Sequence, residues 1–108
     1  MQQQIVNVIA GIYKLYAYEA ITVADTAIGL TSAKYMNSNT TEVRASRVMI
    51  TVETAQVRYT YDGTTPTSSV GHILNVKDVL TLVGDDAIKN FKAIRVSASG
   101  ALKATFEQ

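Results

Sequence analysis

The chain has 108 residues, a formal net charge of +1, one histidine, one proline and no cysteine. That length suits one domain around one core, and 47% hydrophobic residues exclude a disordered polypeptide. The near-zero charge gives no electrostatic drive toward nucleic acid or an acidic membrane, and without cysteine there are no disulfides, thiolate nucleophiles or Cys-based zinc sites.

The N-terminal segment is apolar from Ile5 to Ile12. Asn7 interrupts it, no positive charge precedes it and no A-x-A site follows, so it is expected to belong to the fold or to an interface rather than to a signal peptide. No run reaches the roughly 18 apolar residues that span a bilayer. Ile5, Val8, Ile9, Ile12, Leu15 and Tyr16 fit a helical face, whereas Tyr13, Leu15, Ala17, Ile21 and Val23 fit a strand face. Gly11 and the Tyr, Val and Ile content favour the strand. The expected organisation is an N-terminal arm or first strand over residues 1–19 and a β-sandwich domain over residues 20–108.

Thirteen Thr, twelve Val and nine Ile make 34 β-branched residues, whose stiff side chains suit pleated strands. Thr31–Val43 is polar and reads as a long exposed loop, with one helical turn at Ser32–Met36. Arg47–Glu53 alternates, with Val48, Ile50 and Val52 on one face. Val57–Tyr61 alternates too, with Val57, Tyr59 and Tyr61 together. The short Thr54-Ala55-Gln56 link predicts that these two strands form a hairpin. Ile73–Val76 and Val79–Val83 are two strands or one bent strand. Asp85–Asn90 reads as a helical turn, because its two acids suit a helix N-terminus. Phe91–Ser97 is a strand, Ser99-Gly100 a turn and Ala101–Glu107 the last strand. The expected fold is all-β, a mostly antiparallel β-sandwich or small barrel with short helical turns. Its expected core is Val48, Ile50, Val52, Val57, Tyr59, Leu80, Leu82, Ile94, Val96, Leu102 and Phe106.

Chemistry-bearing groups are sparse. His72 has Asp62, Ser68 and Ser69 nearby in sequence, but no nucleophile motif surrounds it. It reads as a loop-closing residue. Asp85 and Asp86 match no metal loop, and the six glycines form no phosphate cradle. The sequon Asn39-Thr40-Thr41 reads as chance, and the basic residues form no stripe. No catalytic group, metal or cofactor is expected. The most distinctive segment runs from Arg58 to His72. Asp62-Gly63 makes a tight turn. Pro66 ends or edges the sheet and holds Thr65 extended. Hydroxyls at Thr64, Thr65, Thr67, Ser68 and Ser69 satisfy loop backbone. The segment reads as a rigid sandwich corner or as a contact loop.

Arg58-Tyr59-Thr60-Tyr61-Asp62-Gly63-Thr64-Thr65-Pro66-Thr67, followed by Gly71-His72-Ile73-Leu74, resembles small structural proteins of tailed bacteriophages and prophages. These carry R-Y-x-x-D-G-x-x-P-T and then G-H-x-L. The segments Ala20–Thr31 and Phe91–Arg95 fit the same pattern, and the match covers about residues 20 to 107. A similar Y-T-x-D-G-x-x-P-T pattern occurs in accessory β-domains of some glycoside hydrolases. Met1–Glu19 has no counterpart in the pattern. The resemblance implies a non-enzymatic virion protein, synthesised in the host cytoplasm. The preferred role is a capsid decoration or cement protein contacting the major capsid protein and forming homo-oligomers, with no nucleic acid or membrane partner. A tail, neck or fibre-base component and a carbohydrate-binding adhesion module are the alternatives. The candidate partner-binding residues are Ile5, Val6, Val8, Ile9 and Ile12 in the arm, with Tyr61, Asp62, Gly63, Thr64, Thr65, Pro66 and Thr67 in the loop. For a glycan, Tyr13, Tyr16 and Tyr18 are the expected aromatic platform.

Overall fold

A computed structural model describes residues 15–36 and 45–108. In chain order they form β1 (Leu15–Val23), β2 (Ile28–Gly29), α1 (Ser32–Tyr35), β3 (Arg47–Glu53), β4 (Val57–Thr60), β5 (His72–Leu74), β6 (Val79–Val83), α2 (Asp85–Asn90), β7 (Lys92–Arg95) and β8 (Gly100–Glu107). Two four-stranded antiparallel sheets result, ordered β1-β8-β3-β6 and β2-β7-β4-β5. The all-β sandwich expected from alternation is the observed fold. The boundary expected after residue 19 falls inside β1.

Alternation builds the first sheet. Val48, Ile50 and Val52 are buried on β3, and Leu102, Ala104 and Phe106 on β8. Register places Val48 opposite Phe106, Ile50 opposite Ala104 and Val52 opposite Leu102. On the outer strands, Ile21 meets Leu102 and Leu82 meets Val48. Each fully buried aliphatic or aromatic side chain contributes about 1.5–3 kcal/mol of transfer free energy. α2 adds Ile88 and the residue after it adds Phe91, both fully buried. At the crossing between sheets, a Cβ on Gly100 would lie 2.7 Å from the Ala55 carbonyl oxygen and 2.8 Å from a Val57 methyl. Only glycine lets the two sheets approach there.

Several expectations need correction. β3 and β4 are not a hairpin: they belong to different sheets. The chain turns between them at Thr54, whose φ is +79° and which is spanned by a bond from the Ala55 amide to the Glu53 carbonyl, 2.9 Å. That is a γ-turn with a left-handed central residue, and it throws the chain across the sandwich. Ile94 and Val96 are only partly buried. The inward residue of β7 is Ala93, which sits opposite Tyr59, while Ile94 sits opposite Arg58 on the outer face. The large Tyr59 ring leaves room for alanine, so register overrides the hydrophobicity of isoleucine. Tyr59 and Leu80 pack against the core without being fully buried. Gly100 opens β8 rather than closing a turn. Val76 lies outside β5 and is exposed. The helical turn expected at Ser32–Met36 is α1, but its Tyr35 is buried rather than exposed, with its ring centroid 6.4 Å from that of Phe106, and positions 37–43 of the expected loop lie outside the described residues.

Candidate functional site

The loop between β4 and β5 is held from the outer face of β4. Arg58 donates from Nε to the Ser68 carbonyl, 2.9 Å, and from Nη1 to the Gly71 carbonyl, 2.8 Å. The Thr60 hydroxyl donates to the Thr64 carbonyl. Asp62 Oδ1 accepts from the Thr64 amide, 3.0 Å. Thr67 and Val70 exchange backbone hydrogen bonds of 3.0 and 3.2 Å. Thr67 Oγ1 accepts from the Ser69 amide, 3.2 Å. Gly63 and Gly71 take positive φ, +96° and +125°. Pro66, grouped by sequence with the contact residues, is fully buried and anchors the loop, whereas Tyr61, Asp62, Gly63, Thr64, Thr65 and Thr67 are exposed. A polar loop that satisfies so much of its own backbone is preorganised.

Opposite the loop's anchoring face, three rings gather at the end of the sandwich. Tyr59 and His72 are register partners on β4 and β5, with centroids 5.3 Å apart. Tyr61 lies two residues beyond Tyr59, near-parallel to it at 6.1 Å, and 6.2 Å from His72. Tyr59 also touches Phe91 at 5.9 Å, so an aromatic column runs from the core to the surface. A depression of about 260 Å³ is lined here by Thr60, Tyr61, Asp62, Thr64 and His72. Burial, and then the neighbouring Tyr61, push the Tyr59 phenol above its usual pKa of 10.0. The Thr64 amide, then the Thr64 hydroxyl, hold the Asp62 carboxyl below its usual 3.8, with His72 a smaller contributor. The depression therefore presents an aromatic wall, an imidazole and an ionised carboxylate.

Sequence reasoning placed the loop but not the ring cluster. Tyr59 and Tyr61 carry the period-two signal, while His72 reaches them only through strand pairing. Of the tyrosines expected as a platform, Tyr18 is exposed on β1. The side chains of Tyr13 and Tyr16 lie outside the described residues, as do Ile5, Val6, Val8, Ile9 and Ile12. The serines near His72 are engaged within the loop: the Ser68 carbonyl receives Arg58, and Ser69 Oγ lies 3.5 Å from Thr67 Oγ1. Across the loop from the rings, a second depression of about 380 Å³ is lined by residues including Asp25, Thr67, Ser68 and Arg95.

Among the described residues, no cluster of three or more His, Asp or Glu side chains is arranged to hold a metal ion, and no helix is long and apolar enough to cross a membrane. Compared with known proteins, the chain matches no family model, no curated protein and no solved structure.

Proposed function

We propose that this protein is a non-enzymatic structural component of a tailed-phage particle, a capsid decoration protein that stabilises the head through contacts with the major capsid protein. The observation that carries the reading is the preorganised loop from Tyr61 to Val70. It displays Tyr61, Val70 and a row of hydroxyls on a frame fixed by Arg58 and the buried Pro66. A loop already held in one conformation loses little freedom on docking, which is the main cost that a small contact surface has to offset. The motif that resembles small phage structural proteins occupies these same residues. Electron microscopy of purified particles from the phage or prophage encoding the chain tests the reading. The expected result is density for the sandwich on the head surface with the loop against the major capsid protein. Density at the neck, tail or fibre base would move the protein to that role, and particles without the chain would end the virion reading.

The ring cluster favours a second reading, a carbohydrate-binding adhesion module. Tyrosine faces stack on the C–H faces of sugar rings, and the Asp62 carboxylate can accept hydroxyl hydrogen bonds. Titrating the labelled chain with host surface oligosaccharides should then shift Tyr61 and His72 resonances, and Tyr61→Ala should abolish the shifts. Unmoved resonances at millimolar sugar exclude it.

A further inference from the structure

The outermost strand of the first sheet, β6, reads Val79-Leu80-Thr81-Leu82-Val83, which is the same in both directions. Its pairing is to β3 alone, and among the described residues its other edge is free. Sheet edges are normally blunted by lysine, proline, a bulge or a cover, and this strand carries no charge and no proline. Val79 and Val83 are 59% and 68% exposed. The other edge of the same sheet, β1, carries Glu19, whose carboxylate accepts from the Thr31 amide and hydroxyl at 2.9 and 2.7 Å.

From the palindrome and this free edge we infer that β6 is a self-association site, pairing antiparallel with β6 of a second copy about a two-fold axis through Thr81. Hydrogen-bond parity supports that register. Gly84 N donates to Ser46 O at 2.9 Å, and Val52 N to Asp78 O at 3.3 Å. Even-numbered positions therefore face β3, and the amides and carbonyls of Val79, Thr81 and Val83 point outward. With the axis at Thr81, these outward groups meet one another: Thr81 opposite Thr81, and Val79 opposite Val83, each pair exchanging two hydrogen bonds. Side-chain parity agrees. Val79 and Val83 meet on the outer face, while Leu80 and Leu82, which point toward the core, meet on the inner face. Charge agrees as well. The same register brings Lys77, two residues before the strand, level with Asp85 of the second copy, two residues after it. Isologous symmetry makes that complementary contact twice. The result is one sheet continuous across both copies.

A five-residue edge buries less than the roughly 1,200 Å² of a standard stable interface. The dimer is therefore in concentration-dependent exchange with the monomer. The inference does not rest on the virion reading: a chain absent from particles that still dimerises through β6 keeps it.

Sedimentation of the full chain over a wide concentration range tests it, with circular dichroism confirming that each variant folds. Thr81→Pro removes an amide that pairs with nothing among the described residues, and edge strands tolerate proline where the amide faces solvent. Thr81→Lys places like charges on the axis. Each should weaken dimerisation by at least about tenfold while preserving the monomer. Lys77→Glu should weaken it in low salt, and adding Asp85→Lys should restore it. A wild-type chain that is monomeric throughout would overturn the inference. So would dimerisation unchanged in both folded Thr81 variants, or association that persists in them and disappears on deletion of residues 1–12.

Discussion

Thr54 carries a conflict between residue type and backbone. A β-branched side chain in the left-handed region costs about 1–2 kcal/mol, and Thr54 sits there at φ +79° to make the crossing between sheets. Glycine adopts that conformation freely, although its greater freedom in the unfolded chain costs roughly 0.5–1 kcal/mol. The balance favours glycine, so Thr54→Gly should raise stability by up to about 1 kcal/mol, the opposite sign from glycine placed in an ordinary strand. Urea unfolding of the two proteins measures it. A lower midpoint in the variant would mean that the Thr54 side chain supplies more than the turn takes.

The loop between β4 and β5 has a pH dependence of determined sign. The Asp62 carboxylate accepts from the Thr64 amide, and its pKa is lowered in the folded chain. Its contribution is fully present above the usual 3.8 and is lost as pH falls through the lowered value. The Thr64 amide resonance should therefore hold from neutral pH through about pH 5 and move only below the usual aspartate range. In Asp62→Asn the acid transition should vanish, and a Thr64 resonance that still moves in that variant would show that another group governs it. This element also marks what a sequence reveals. The strand–loop–strand order was legible because alternation, Asp62-Gly63 and Pro66 are local signals, and β3 matched its expected span for the same reason. The hairpin between β3 and β4 misled because a three-residue link looks alike whether it returns to the same sheet or crosses to the other. Ile94 misled because the inward place on β7 is set by Tyr59 across the strand pair. The ring cluster stayed hidden because His72 joins Tyr59 and Tyr61 through pairing across the loop.

For the whole molecule, the decisive feature is that β8, the last strand, lies between β1 and β3. The first sheet closes only when both ends of the described chain meet, a non-local topology that slows folding. Its described core reaches β1: Ile21 and Val23 are buried there, and Leu15 is already in register with Glu107. Arg47 fixes the same corner, donating to Glu107 Oε1 at 2.8 Å. Residues 1–12 precede these contacts, and they hold Ile5, Val6, Val8, Ile9 and Ile12. Each aliphatic side chain is worth about 1.5–3 kcal/mol where it becomes buried, enough in combination to hold a subunit on a particle after the costs of association. Deleting Met1–Ile12 should therefore leave a folded domain. Its melting temperature should stay within about 4 °C of the intact chain, the shift that roughly 1 kcal/mol produces at this size. Dimerisation through β6 should survive and, on the proposed virion reading, binding to purified heads should be lost. If the arm is instead a strand of the monomer's own core, the truncated chain unfolds or melts far lower. Calorimetry and head-binding of the same truncated protein separate the two, because attachment and core packing predict opposite pairs of results.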